Sequence, residues 1–215
     1  RVPCILRKDA VTNTASMSLC IDKSLEFRVL AEARKADVAA AMPYFEFDAG
    51  YVMERVSGET LPRRILRDAG FAHARTVLTE QCALALARIH ATPAVSGLVD
   101  YSARQQLDEL ERLFREYGVC SPVFEVAFRW LNENIPEGTE TTLVHGDFRN
   151  GNLLVDGDGL HAVLDWELSH RGDPAEDLGW LCVNAWRFGN THLPVGGFGS
   201  RAELLDAYAR LSGRS

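Results

Sequence analysis

The run LVHGDFRNGNLLVDGDGLHAVLDWE, Leu143 to Glu167, constrains this chain more than any other stretch. Two apolar segments, Leu153-Leu154-Val155 and Ala162-Val163-Leu164, flank Asp156-Gly157-Asp158-Gly159, a turn of hairpin type. A polar loop with His145, Gly146, Asp147, Arg149, Asn150 and Asn152 leads into the first strand. The hairpin then places Asn152, just before its first strand, beside Asp165, just after its second. Two oxygen donors at one end of a hairpin suit a hard cation. Mg²⁺ usually takes one or two protein oxygens and completes its shell with phosphates and waters. Asp147, in the same loop, would lie near a transferring phosphate, where a carboxylate can orient a hydroxyl and take its proton. The spacing predicts a phosphoryl-transfer site.

Two competing motifs fail on their own chemistry. Asp156 to Glu167 has the length of an EF-hand loop, but the positions needing an oxygen ligand and a glycine hold Leu160 and His161. PVGGFGS, Pro194 to Ser200, is Gly-rich but lacks the Gly-Lys-Ser/Thr ending of a P-loop. Ser200 with Glu203 reads instead as a capping box opening a last helix through Leu211.

The pattern H-x-D, Asn after four intervening residues, and Asp on the next hairpin resembles the catalytic loop and metal-binding Asp of the protein-kinase-like fold. HGD and DWE in this form resemble the aminoglycoside phosphotransferase and choline-kinase-like family. GDPAEDLGWL from Gly172, YVMERVSGETL from Tyr51 and LEFRVL from Leu25 resemble further segments of that family, in the expected order. The resemblance implies an α+β, two-lobe fold. Its parts are a small N-terminal β-sheet lobe, residues 1–57, and a mainly helical C-terminal catalytic lobe, residues 58–215. It also implies ATP and Mg²⁺, with Asp147 as the catalytic base and Asn152 and Asp165 as metal ligands. Arg7, with Lys8 in reserve, would touch the phosphates and pair with Glu26. The adenine would meet the Glu54 carbonyl and the Val56 N–H.

Three neighbours carry weaker assignments. His145 reads as a loop-holding histidine bonded to backbone rather than a metal ligand or base. Glu167 could touch a second metal or a cationic substrate, or anchor the loop. Asp177 opens an apolar helix, so N-capping explains it, while the resemblance implies that it braces the catalytic loop. Asp173 before Pro174 reads as a turn residue.

Two departures narrow the expectation. The Gly-rich phosphate loop and first strands implied ahead of Arg7, and further C-terminal helices, lie outside the sequence, so the small lobe reads as truncated. Gly146 stands where protein kinases carry the Arg that senses a phosphorylated activation loop. Only seven residues separate Asp165 from Asp173. That leaves no space for an activation segment, so a small-molecule hydroxyl acceptor is expected and a protein substrate is not.

A net charge of −7 and a pI near 5.4 argue against nucleic acid or anionic membrane as partners. No apolar run approaches the ~18 residues of a membrane span, and no signal peptide is expected. Five cysteines, odd in number and without C-x-x-C spacing, favour reduced thiols and a cytoplasmic location. Elsewhere the pattern predicts a strand at Pro3–Lys8, a helix at Leu25–Ala36 and a strand through Tyr44-Phe45-Glu46-Phe47 that turns back into Tyr51-Val52-Met53. Helices follow at Phe71–Ala91, Gln105–Tyr117 and Val123–Asn134, with apolar stripes expected in the core. The expected activity is transfer of the ATP γ-phosphate to a hydroxyl of a metabolite or drug. A nucleotide-binding pseudokinase is the alternative, and a metal-dependent phosphohydrolase a weaker one.

Overall fold

The structure is a computed structural model that describes residues 2–8, 20–118, 120–136, 138 and 140–214. The ends of both expected lobes, and residues 9–19 of the first, lie outside the described residues. The class is α+β, as expected: a small sheet at the N-terminal end and a mostly helical remainder.

Three antiparallel strands form that sheet in the order β1-β3-β2, with β1 at Cys4–Lys8, β2 at Pro43–Phe47 and β3 at Gly50–Glu54. Their register sets Arg7 directly opposite Tyr51. Opposed residues of an antiparallel pair share a face, so both side chains turn toward helix α1, Lys23–Lys35. Asp22 caps α1 by accepting from the Leu25 N–H at 2.7 Å. Leu25, Val29, Leu30 and Ala33 recur at helical spacing and are buried, which fixes the face α1 turns inward.

The helical part is built on α3, Ala72–Ala91, after a short α2 at Pro62–Arg67. Leu78, Cys82, Ala85, Leu86 and Ile89, the expected stripe, are all buried. Each large apolar side chain removed from water this way contributes roughly 1.5–3 kcal/mol. Helix α7, Arg201–Ser212, packs on α3 and opens with the expected Ser200–Glu203 capping box.

The stripes of the next two helices are a correction. Helices α4, Ala103–Glu116, and α5, Pro122–Asn134, bury only Leu107 and Phe128. Leu110, Val126, Trp130 and Leu131, expected in the core, are exposed, as is Tyr117. The pair meets along one aromatic seam, Phe114 with Phe124 and Phe128, which leaves Leu110, Val126, Trp130 and Leu131 outside.

Two small β-ladders carry the loop motif. Strands β5, Leu153–Asp156, and β6, Gly159–Val163, form the expected hairpin. At its turn Asp156 Oδ1 accepts from the N–H groups of Asp158 and Gly159, a bonding pattern of a turn rather than of a cation loop. Strands β4, Thr142–Val144, and β7, His170–Gly172, pair antiparallel and hold the loop's entry. The hairpin joins the small sheet's approach through an Ala40–Val163 bridge and the segment after β3 through a Glu59–Val155 bridge.

Candidate active site

The loop between β4 and β5 is fixed from beneath by Asp177, on helix α6, Ala175–Leu181. Asp177 is fully buried. Its Oδ2 accepts from the His145 backbone N–H at 2.8 Å, and its Oδ1 from that of Gly146 at 3.0 Å. His90 Nε2 lies 3.2 Å from the same Oδ2, and His90 Nδ1 lies 2.7 Å from the Tyr208 hydroxyl. Burial alone would raise the Asp177 carboxyl, but His90, His145 and the loop amides outweigh it and hold the group below its ordinary range. N-capping is corrected: Pro174 is the N-cap, and Asp177 is the third residue of the helix, within its first turn. Asp173, the expected turn residue, accepts from the Ala175 N–H.

His145 is buried, with its Nε2 3.0 Å from the Leu164 carbonyl, while its Nδ1 accepts from the Asp147 N–H at 3.2 Å. That pattern requires the neutral tautomer with the proton on Nε2. Burial lowers its pKa despite the nearby carboxylates. A neutral imidazole bonded to backbone on both sides braces the loop. Gly146, at φ +81°, allows the turn that sets Asp147 outward, and a Cβ there would meet the Leu168 carbonyl. From the other side Asn150 Nδ2 donates to the Gly196 carbonyl, so the Gly-rich PVGGFGS segment supports this loop.

Asp147 and Asn152 are brought together. Asn152 Nδ2 donates to the Asp147 carbonyl at 3.0 Å and to its Oδ2 at 2.7 Å. Two further donors reach the carboxylate. Arg149 Nε lies 3.0 Å from each oxygen, and Trp180 Nε1 donates to Oδ1 at 2.7 Å. Arg149 in turn lies over the Trp186 ring, its guanidinium carbon 4.5 Å from the centroid.

At the open end of the hairpin, Asp165 adopts a left-handed backbone, φ 60° and ψ 69°, rare for a residue with a side chain. Its Oδ1 lies 3.3 Å from Arg7 Nη1. Arg7 Nη2 is 3.0 Å from Glu26 Oε1, so one guanidinium ties α1 to the hairpin. Glu26 is buried and also accepts from Lys23 Nζ at 2.6 Å and from the Tyr51 hydroxyl at 2.9 Å. Lys8, one residue along β1, is exposed. Glu167 lies within ion-pair range of Lys23 and Arg7, at 3.5 and 3.6 Å, which makes it an anchor between the turn after β6 and α1. At the end of β3, the Glu54 N–H donates to the Met42 carbonyl and the Glu54 carboxylate accepts from the Met42 N–H.

The donor set fits Mg²⁺. Asn152 commits its N–H₂ group to Asp147, which turns its Oδ1 away from that carboxylate. Asp165 is half exposed at the open end of the same hairpin. Among the described residues no cluster of three or more His, Cys, Asp or Glu could cage an ion. A site of few protein oxygens is the kind that leaves room for phosphates.

Lys23, Tyr51, Arg149, Trp180, His90 and Tyr208 were not singled out from the sequence. Of these, Lys23 carried a signal, since it stands three residues before Glu26 on one helix. Trp180 reaches Asp147, and His90 with Tyr208 reaches Asp177, only through tertiary packing.

A sequence profile of the phosphotransferase enzyme family matches residues 21–214. Acyl-CoA dehydrogenase family member 11 of Gallus gallus is 33% identical over 190 residues, covering 77% of this chain and 24% of that protein. The chain spans between 10% and 30% of the first curated relatives it matches. Among solved structures, a macrolide 2′-phosphotransferase type I superposes with a TM-score of 0.66 at 23% identity, over 90% of this chain and 65% of that one. An aminoglycoside phosphotransferase from Streptomyces rimosus, in complex with ADP and streptomycin, gives 0.60 at 16% identity, over 91% and 79%. At these identities the structural likeness is one of fold, the protein-kinase-like phosphotransferase fold. Taken with the profile match across nearly its whole length, it is as a member of the phosphotransferase enzyme family that this chain is identified.

Proposed function

We propose that the protein is an ATP-dependent small-molecule kinase that moves the γ-phosphate of ATP to a hydroxyl group. The observation that carries this reading is the pairing of Asp147 with Asn152 at the start of the hairpin, together with a guanidinium, Arg7, that bridges Glu26 and Asp165 at the hairpin's end. The small sheet and α1, up to about Ser57-Gly58, form the nucleotide lobe, and the rest the catalytic lobe. Adenine meets the Glu54 carbonyl and Val56 N–H. Arg7, placed by Glu26, neutralises phosphate charge. Asn152 and Asp165 would hold Mg²⁺, which when bound offsets the negative charge on the phosphates.

Asp147 orients the acceptor hydroxyl and takes its proton. The acceptor oxygen bonds to the γ-phosphorus as the bond from that phosphorus to the β,γ-bridging oxygen breaks, and ADP leaves with the electron pair. Positioning and electrostatics supply most of the acceleration in such a transfer. His145, Asp177 and Glu167 anchor the parts around it. The stretch after Asp165 is taken up by a 3-10 turn, Trp166–Leu168, and by β7, which favours a small-molecule acceptor over a peptide. No helix among the described residues is long and apolar enough to cross a membrane. That is compatible with the proposed cytoplasmic site of action.

The test is Asp147→Ala. Phosphoryl transfer to a panel of hydroxyl compounds should fall by at least ~100-fold, while Mg-ATP still raises the melting temperature. Unchanged turnover in that variant overturns the assignment. Mg-ATP binding by the unaltered protein without turnover of any acceptor would instead favour the pseudokinase reading.

A further inference from the structure

Arg149 is fixed at the site in a way that phosphate binding and proton removal leave unused. Its Nε–H is shared between the two Asp147 oxygens, and its guanidinium lies over Trp186. Gly151 makes room for it: at φ +133°, a Cβ there would stand 2.5 Å from Nη1. A guanidinium carries five N–H donors. Among the described residues only the Nε–H has a hydrogen-bond partner, so the four N–H groups of Nη1 and Nη2 stand as a fork. The side chain keeps 26% of its surface open. Stacking and the bond to Asp147 hold the fork before any ligand arrives, which lowers the entropic cost of using it. Trp180 and Trp186, edge to face at 5.5 Å, extend the same wall. The surface beside Asp147 therefore presents open guanidinium N–H donors and aromatic rings.

We propose that Arg149 is a specificity-determining residue that selects an acceptor bearing an oxyanion, a carboxylate or phosphate, near its reacting hydroxyl. This inference rests on the kinase reading above. An oxyanion suits the planar Nη fork, which can bind it through two parallel hydrogen bonds. The same fork repels an ammonium group. The attraction also grows along the reaction. As Asp147 takes up the hydroxyl proton it ceases to neutralise Arg149, so the acceptor's oxyanion becomes the guanidinium's main counter-charge. Interactions that strengthen in this way act on turnover as well as binding.

The experiment compares matched acceptors with the unaltered protein and Mg-ATP: short ω-hydroxy acids, their amides, the corresponding amino alcohols, and the monophosphates of the corresponding diols. Phosphorylated product is measured by mass spectrometry and kcat/KM compared within each set. The hydroxy acid or the diol monophosphate should exceed the amide by about ten- to a hundredfold, and the amino alcohol should be poorest. The leading arm tells carboxylate from phosphate. Arg149→Gln should collapse the anion-to-amide ratio toward one, and Arg149→Lys should keep part of it. Equal rates across the charge series in the unaltered protein, or a preference for amines, overturns the inference but not the kinase reading. So does a variant that raises the KM for ATP while the acceptor ratio stands. Absence of transfer to every acceptor overturns both.

Discussion

Asp177 Oδ2 sits 2.8 Å from the backbone nitrogen of His145, across the boundary between helix α6 and the loop that carries Asp147. With Oδ1 on the Gly146 amide, one buried carboxylate fixes two successive peptide units just ahead of Asp147. The loop's geometry is thus set by a side chain that does not reach the site.

Replacing it by Asn makes the first prediction. An amide cannot accept from the loop N–H groups with both of its ends, so Asp177→Asn sets a donor against a donor in a buried place. The loss should be about 2–4 kcal/mol, read from urea denaturation midpoints. Because the folded pKa of Asp177 is depressed, its contribution is complete above the unfolded value of about 4. It is lost as the pH falls through the folded value. The difference between the two proteins should therefore narrow only in acid, below about pH 4.

Gly146 gives the second. Gly146→Ala must hold a side chain at φ +81° and against the Leu168 carbonyl. A cost of at least about 2 kcal/mol is expected, together with a fall in turnover as Asp147 shifts. Thermal unfolding and initial rates check both. A variant that matches the unaltered protein in each would show that the loop tolerates another path.

On the side proposed to bind the nucleotide, Glu26 holds three donors, from Arg7, Lys23 and Tyr51. Glu26→Ala should raise the KM for ATP about tenfold or more by releasing Arg7. Tyr51→Phe removes one neutral donor and should change it by no more than about fivefold. Burial, and then the Glu26 charge, push the Tyr51 phenol upward, so it stays a donor throughout the working pH range. Equal effects from the two variants would contradict this ranking.

His170 and Glu176, 3.1 Å apart on β7 and α6, predict a pH dependence of the opposite sense. Burial would lower the His170 pKa, but the Glu176 carboxylate outweighs it and the net shift is upward. A raised histidine contributes stability that is whole below its unfolded value of about 6.5 and fades as the pH rises through the folded one. Glu176→Gln should lower the melting temperature by roughly 2–4 °C in mild acid and by less in alkali. A constant difference across that range would remove the ion pair from the account.

The hairpin was readable because its turn and its two apolar runs are local in sequence, and α3 because Leu78, Cys82, Ala85, Leu86 and Ile89 recur at helical spacing. The face of β1 was harder to read. Arg7 and Lys8 are alternatives by alternation alone, and the pairing with Tyr51 decides between them only once register is known. The stripes of α4 and α5 have good helical spacing, yet spacing does not say how much of a face another element covers. Arg149, Trp180 and Trp186 failed for a different reason. Each looks like an ordinary loop or helix residue until α6 and the segment after it fold back over Asp147.

The Asp147 carboxylate has about four lone-pair directions, and Arg149, Trp180 and Asn152 between them supply four contacts to its two oxygens. Arrival of a hydroxyl at this carboxylate is therefore a ligand exchange rather than an addition. The anion is already stripped of much of its water, so the incoming group need only match the donor it displaces. A water molecule, which brings no other contacts, gains little from the same exchange. On the proposed kinase reading, the crowding around Asp147 would thus slow idle hydrolysis of the nucleotide, and little ATP would be spent until a true acceptor arrives.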